Sequence, residues 1–208
     1  LLPGAGADIL GNVELAREAL GLSTSEALIV VGSTTGQPGS PTPGIWNLWG
    51  FADEVLSPEN AIPDPADSNR RLAGGHWLDL LRRVDVFLQQ SGLDYRQLLD
   101  LLDSYYVNPV VDDIRAIHIV SSDPEEPDTC DTAKLALEGL DVAAAARAVR
   151  FGRLWRRLGW SMRDLDRAVT AFAPAGQPAD LDTVFLTRLA HVQRLHAALD
   201  VPVERLLS

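Results

Sequence analysis

Histidines are the side chains of this 208-residue chain best suited to acid–base or metal chemistry, but their spacing favours neither. The chain contains His76, His118, His191 and His196. The last two are five positions apart, whereas two zinc ligands on one helix face are four apart. No Gly-x-Ser-x-Gly sequence marks a nucleophilic serine. We therefore expect structural or surface roles for the histidines and no catalytic residue.

Three glycines superficially suggest a phosphate-binding loop. Gly32, Gly36 and Gly39 follow the apolar run 27–31. No Gly-Lys-Ser/Thr sequence closes this loop, and prolines stand where the helix of a nucleotide site would begin. The pattern favours a flexible loop, and no cofactor is expected.

Acidic side chains are concentrated between positions 121 and 131. They are Asp123, Glu125, Glu126, Asp128 and Asp131. Oxygen-rich loops can bind calcium, but the spacing is not that of an EF-hand and the segment has no central glycine. A solvated loop is the favoured interpretation, with calcium binding left open. Cys130, the single cysteine, excludes an internal disulfide and a cysteine-based zinc site. We expect no metal site.

Two groups of residues are candidates for contact with a partner. They are Trp46, Trp49, Arg153, Arg156 and Arg157. The tryptophans lie in an apolar island of the Gly- and Pro-rich segment 32–68, and would engage a receptor or glycan. The arginines surround Trp155 and would form a small basic patch for an acidic partner. For the arginines we favour another interpretation, in which they cover the exposed side of a helix and pair with neighbouring aspartates.

The charge balance excludes two classes of partner. A net charge of −11 repels phosphate backbones and anionic lipid, so we expect neither nucleic-acid binding nor membrane contact. No apolar run approaches the roughly 18–20 residues that span a bilayer. Met162 is the only methionine, so we expect a fragment or a processed product.

The elements that would position these residues are mostly helical. Apolar residues three and four apart predict two short helices in 11–31 and a series of helices from about 70 onward, the first of them following a stripe from Trp77 to Leu88. Segment 32–68 predicts a loop with at most a short helix near 50–56. The apolar residues near 115–121 and 134–139 predict two strands that pair in a hairpin. The expected fold is mainly α, an irregular bundle of helix-turn-helix pairs with a small β-hairpin insertion. The expected domains are 1–69, with short helices and a loop, and the helical 70–208.

One turn recurs four times and predicts where the helices end. Its glycine or aspartate stands at Gly21, Gly92, Gly159 and Asp200. Glycine takes the left-handed conformation at a helix end, an apolar residue packs back on the helix, and Ser or Asp caps the next helix. The fourth copy has proline at the cap, which suits a helix start. A DNA-binding version of the motif would need a basic recognition face, which an acidic chain lacks.

Several ordered motifs carry a resemblance to a known family. They are Phe87–Tyr95, Leu98–Leu102, Val107–Pro109, Cys130–Asp131, Leu137–Asp141, Arg150–Trp160, Leu165–Asp166 and Phe172. In this order they resemble the A component of Tc-type insecticidal toxin complexes and the related plasmid-virulence A proteins of Salmonella. The resemblance is good over 80–208 and loose over 11–79.

The resemblance implies an α-helical shell segment of a large, secreted, pentameric toxin subunit. In that family the shell encloses a translocation channel that delivers a toxic enzyme. The implied partners are other domains or protomers of the same subunit and a host surface receptor, and no active-site residue carries over. The competing hypothesis is a stand-alone binding module for a host receptor or glycan through Trp46 and Trp49. An enzyme is the least supported hypothesis.

Overall fold

The structure, a computed structural model, describes residues 13–32, 44–174 and 178–207. The described helices are α1 (13–19), α2 (Thr24–Val30), α3 (Ile45–Leu48), α4 (Trp77–Leu81), α5 (Val84–Ser91), α6 (Tyr95–Asp103), α7 (Val142–Leu158), α8 (Met162–Phe172), α9 (Thr183–Leu199) and α10 (Val203–Leu206). The strands are β1 (Ile62–Asp64), β2 (Asp67–Leu72), β3 (Val110–Val111), β4 (Ile114–Arg115), β5 (His118–Ser121) and β6 (Leu135–Glu138). They form two-stranded antiparallel sheets within a mainly α fold, which confirms the predicted fold class.

The chain forms two compact units. The terminal unit comprises Leu1–Thr35 and Arg150–Ser208, and the central unit comprises Gly36–Val149. This division differs from the predicted boundary near residue 70. Helix α2 belongs with the C-terminal helices because Arg150 donates a 2.7 Å hydrogen bond to the carbonyl of Val30.

The recurring turn ends helices at the predicted positions. Gly21, Gly92, Gly159 and Asp200 all have φ between 51° and 68°. The residues that cap the following helices are Ser23, Asp94, Ser161 and Pro202. The side chains of the first three accept a backbone N–H of the first turn, and the first two complete a capping box. The local sequence therefore fixes these helix ends.

Aromatic and leucine side chains form the core of each unit. In the central unit, Trp49 lies 4.9 Å from Phe87 and Phe51 lies 6.1 Å from Trp77, as measured between ring centroids. Fully buried residues of the terminal unit include Phe151, Leu154, Leu165 and Leu181. Burial of a side chain of this size contributes about 1.5–3 kcal/mol.

The stripe from Trp77 to Leu88 forms two helices, α4 and α5, where the sequence predicted one. The carbonyl of Arg82 accepts the amide of Leu137 at 2.7 Å, and Arg83 forms an antiparallel bridge with Ala136. Strand β6 thus takes backbone groups that a continuous helix would use for itself. A tertiary hydrogen bond, and no glycine or proline, interrupts the helix.

The predicted short helix near 50–56 is wrong by several residues. The helix in this region is α3, which ends before Trp49. The side chain of Asn47 donates to the carbonyls of Phe51 and Ala52 at 3.0 and 3.1 Å, and these bonds hold the following residues in a turn. The predicted loop also contains β1, while positions 33–43 of it lie outside the described residues.

The predicted hairpin is confirmed. Strands β5 and β6 pair antiparallel from His118 opposite Glu138 to Ser121 opposite Leu135. Two further hairpins, β1–β2 and β3–β4, were not predicted. Strand β2 reads Asp-Ser-Asn-Arg-Arg-Leu, and the β3–β4 strands have two residues each, so neither has a clear strand signal.

A buried asparagine joins helix α6 to the start of β5. The amide nitrogen of Asn108 donates to the carbonyls of Leu102 and Ile117, both at 3.0 Å, and its oxygen accepts the amide of Ile117 at 2.7 Å. Asn108 is 1% exposed, so water cannot replace these bonds.

Asn108→Ala is expected to lower the free energy of unfolding by about 2–3 kcal/mol, because it leaves both backbone groups of Ile117 buried without partners. Urea denaturation measures the change. Asn69→Ala, on exposed strand β2, is the control and should cost less than about 1 kcal/mol. Equal losses for the two variants would contradict this role of Asn108.

Candidate functional site

One of the three arginines that could form a basic patch on α7 is paired within the terminal unit. Arg157 forms a short ion pair with Glu26, to which its Nε also donates at 2.9 Å. Arg153 is half-buried, and Arg156 is exposed. Arg157 thus pairs with a carboxylate of its own chain, but with the distant Glu26 and not with the neighbouring Asp164 and Asp166 that the favoured interpretation named.

The tryptophans near this patch face inward with their N–H groups satisfied. The indole of Trp155 donates to the carbonyl of Trp160 at 2.9 Å. The indole of Trp160 donates at 2.9 Å to Oε1 of Gln193 on α9. Both rings therefore stabilise the packing of α7, the following turn and α9.

The two tryptophans of the central unit have different environments. Trp49 is 3% exposed, and its indole donates at 3.2 Å to the carbonyl of Ala145. Trp46 is half-buried on α3. Trp49 is thus a core residue, and only Trp46 of the predicted pair has a surface that a receptor or glycan could contact.

Two arginines of α7 that sequence analysis passed over have clear roles. Arg147 donates to the carbonyl of Val107 at 3.2 Å, within the central unit. Arg150, within the terminal unit, donates to Val30 and Leu181 and pairs with Asp180 at 2.9 Å. Because these acceptors lie at the ends of elements, the arginines hold helix and loop termini against α7.

A buried ionic cluster in the central unit was also missed. Arg83 bonds Asp85 at 2.6 and 3.1 Å and Asp64 at 3.1 Å. The side chains of Asp64 and Asp85 are 3% and 5% exposed, and each also accepts a backbone amide, from Ala66 for Asp64 and from Val86 for Asp85. The hydrogen bond that Arg83 donates to Asp85 is the main cause that raises the pKa of Arg83.

This cluster does not have the arrangement of an acid–base pair. Both oxygens of Asp85 and Oδ1 of Asp64 are held by Arg83 or by backbone amides, and Oδ2 of Asp64 lies 3.7 Å from Arg70, so the carboxylates are paired with cations of their own chain. The sequence signal was weak, because Asp64 is 19 positions from Arg83. The cluster joins the β1–β2 hairpin to the start of α5.

The histidines are separated along the chain and do not converge. His76 caps α4 by accepting the amide of Leu78, and its other nitrogen lies 3.2 Å from Glu54. His196 contacts the carbonyl of Val201 at 2.8 Å, and His118 and His191 are exposed. Within the described residues, no group of three His, Cys, Asp or Glu side chains is arranged to bind a metal ion.

The acidic loop is organised by the single lysine of the chain. Nζ of Lys134 lies 2.7 Å from Glu126 and 3.6 Å from Asp123. The pKa of Lys134 is raised, first by its hydrogen bond with Glu126. Asp131 caps the turn before β6 by accepting the amide of Ala133. An ammonium group therefore occupies the position between two of the predicted carboxylates.

Two shallow depressions lie in the terminal unit. The larger, about 340 Å³, lies between α8 and α10. Its lining residues are Asp166, Arg167, Thr170, Ala171, Glu204 and Leu207. The smaller, about 40 Å³, lies between α1 and α9 beside His191 and Arg194. Thr170 lines the larger depression and Thr187 the smaller, and their hydroxyls donate at 2.9 Å to the backbone carbonyls of Asp166 and Thr183.

Every helix among the described residues is too short or too polar to cross a lipid bilayer. No protein-family model, curated protein or solved structure matches the chain.

The ion pair of Glu26 predicts an acid-sensitive contribution to stability. The amide of Ser23, followed by Arg157, lowers the pKa of Glu26 from 4.5 to about 2. Because the folded-state pKa lies below the unfolded value, the contribution is complete above pH 4.5 and is lost as the pH falls towards 2.

Glu26→Gln is therefore expected to reduce the loss of stability between pH 4.5 and pH 2, by no more than about 1 kcal/mol for this partly exposed pair. Denaturation series at several pH values measure the difference. Arg157→Met is the matched comparison and should remove only part of the dependence, because the amide of Ser23 remains. An unchanged pH dependence in Glu26→Gln would exclude this contribution.

Proposed function

We propose that this chain is a non-catalytic structural module, an α-helical shell segment of a large secreted toxin A subunit that assembles around a translocation channel. The observation that carries the proposal is the use of the polar side chains within the described residues. Arg83, Arg147, Arg150, Arg157 and Asn108 hold carbonyls and carboxylates of their own chain. Side chains used in this way maintain a shape and are not available for a reaction.

The helix connections provide further support. Turns of three or four residues join α1 to α2, α5 to α6 and α7 to α8. Capping residues begin α2, α6 and α8, so these connections are defined by local hydrogen bonds. Such connections suit a rigid wall and leave little chain for loops that would form a cleft.

The toxin assignment itself derives from the resemblance carried by the motifs between Phe87 and Phe172. Secretion, a role in virulence, and association with other domains or protomers of the same subunit follow from that resemblance. Contact with a host surface receptor is a further part of the proposal, for which Trp46 is the remaining tryptophan candidate.

The proposal is tested on the protein encoded by the complete reading frame that contains this chain. That protein is purified and examined by light scattering and negative-stain electron microscopy. A ring-shaped pentamer with helical density around a central channel supports the proposal. A monomer, or turnover of a substrate that a single substitution within this chain abolishes, would overturn it.

A glycan array and binding to host cells test the competing binding module with the 208-residue chain. Binding that is lost in Trp46→Ala, with the thermal unfolding midpoint unchanged, would replace the structural proposal by a receptor-binding one. Absence of binding by the wild-type chain is the result expected for a shell segment.

A further inference from the structure

The β3–β4 hairpin of the central unit carries an exposed apolar tip with two acidic residues. Val110, Val111 and Ile114 are 41%, 57% and 60% exposed, although residues of this type are normally buried in a folded domain. Between them lie Asp112 and Asp113, whose side chains make no hydrogen bond or ion pair with the described residues. The tip is therefore apolar and negatively charged.

The tip is held in a defined conformation. Asp112 and Asp113 have φ of 51° and 64°, which is the geometry of a tight two-residue hairpin turn. At the base, the guanidinium of Arg115 donates to the carbonyls of Asn108 and Asp103, both at 2.7 Å. Ordering this tip on a partner would therefore cost little conformational entropy.

A surface of the opposite charge lies on α9 of the terminal unit. Val184, Leu195 and Leu199 are 54%, 48% and 59% exposed. Their spacing places them on one side of the helix. Leu15 of α1 is 51% exposed and lines the small depression beside this face. An apolar area of this kind on an otherwise soluble helix is typical of an interaction surface.

The charge of α9 is unusual for this chain. Thr183–Leu199 contains no Asp or Glu, although the whole chain has a net charge of −11. Arg194 and His191 line the depression beside Leu15, and their side chains make no hydrogen bond or ion pair with the described residues. The α9 surface, defined as Leu15, Val184, His191, Arg194, Leu195 and Leu199, is apolar and basic.

We propose that the β3–β4 hairpin of one copy of this chain docks on the α9 surface of a second copy. Val111 and Ile114 would contact Leu15 and Leu195, and the carboxylates of the turn would pair with Arg194. The two surfaces are complementary in charge, because the hairpin carries carboxylates and the α9 surface carries an arginine that are unpaired within the described residues. This inference rests on the proposed function, because it specifies a contact between protomers of an assembly.

The contact joins two different surfaces, so it repeats head to tail. Such contacts close into rings when the rotation between copies allows it. A few apolar side chains on each side fall short of the roughly 800 Å² per partner of a stable pairwise interface. The contact is therefore weak between two isolated chains. In a closed ring each copy makes two such contacts, one through its hairpin and one through its α9 surface, so the assembly is more stable than a pair.

Disulfide trapping tests the contact with the full 208-residue chain in a Cys130→Ser background, which removes the only native thiol. One sample carries Ile114→Cys and the other Leu195→Cys with a size tag, and the mixed disulfide is followed on a non-reducing gel. Val55→Cys replaces Ile114→Cys in the control, because Val55 belongs to the same unit and is 62% exposed.

The mixed disulfide of the Ile114 and Leu195 variants should form about tenfold faster than that of the control pair at low salt, and the advantage should fall as salt is raised. Asp112→Asn combined with Asp113→Gly should remove most of the advantage. These residues preserve the two-residue turn and eliminate both charges. Arg194→Asp should have the same effect from the other side.

Equal rates for the Ile114 and Val55 pairs would overturn the proposal, as would an advantage that survives both the turn variant and Arg194→Asp. Light scattering of the complete reading-frame product separates the two proposals. A ring that forms normally with the turn variant would eliminate this contact and leave the shell function intact. Failure of the wild-type product to assemble would overturn both.

Discussion

Gly139→Ala is expected to lower the free energy of unfolding by more than about 4 kcal/mol, which is an exceptionally large effect for the addition of one methyl group. Gly139 follows β6 at φ 80°, and a Cβ there would overlap the carbonyl oxygen of Ala116. The flanking Leu137 and Leu140 are 1% and 2% exposed, so the backbone cannot move without disturbing the core. Urea denaturation of the purified variant measures the loss.

Gly74→Ala is the matched control for this effect. Gly74 has φ 84°, but a Cβ there would meet no atom within 4 Å. Its replacement carries only the left-handed backbone strain, about 1–2 kcal/mol. If the two variants lose the same stability, then the overlap with Ala116 is not the cause. If Gly139→Ala does not accumulate as a folded protein while Gly74→Ala does, yield and circular dichroism support the overlap with Ala116 as the cause.

Arg83→Met is expected to lower the free energy of unfolding by about 3–5 kcal/mol. The change removes the cation that neutralises Asp64 and Asp85, whose side chains are 3% and 5% exposed. Asp85 would then remain buried without a counterion and Asp64 would keep only the exposed Arg70, while the methionine retains most of the packing volume. Chemical denaturation measures the loss.

Arg70→Met provides the comparison. Arg70 also approaches Asp64, at 3.7 Å, but its side chain is 69% exposed, so its loss should cost less than about 1 kcal/mol. Adding Asp64→Asn and Asp85→Asn to Arg83→Met should recover part of the lost stability, because it removes the uncompensated charges. A triple variant that is no more stable than Arg83→Met would show that the arginine acts through packing rather than charge.

The candidate partner-binding residues illustrate what a sequence can and cannot say about a site. Trp46 and Trp49 are three positions apart in the same apolar island and look equivalent. Trp49 is buried because its ring packs against Phe87 and its indole N–H donates to the carbonyl of Ala145, and both partners are distant in sequence. Arg157 likewise finds its carboxylate 131 positions away, at Glu26.

The sequence alone determined the features that depend on hydrogen bonds between near neighbours. The helix ends at Gly21, Gly92 and Gly159 are examples, because a left-handed residue and a capping side chain act within one turn. The β5–β6 hairpin was also predictable, since its apolar β-branched residues interrupt the helical period.

Only the tertiary structure decided where distant segments compete for the same backbone groups. The break between α4 and α5 occurs because the amide of Leu137 donates to the carbonyl of Arg82, and no local sequence pattern predicts this hydrogen bond. The ionic cluster around Arg83 and the hydrogen bonds of Asn108 arise in the same way. Local patterns encode bonds that close within a few residues, whereas these contacts exist only after the core has brought separate elements together.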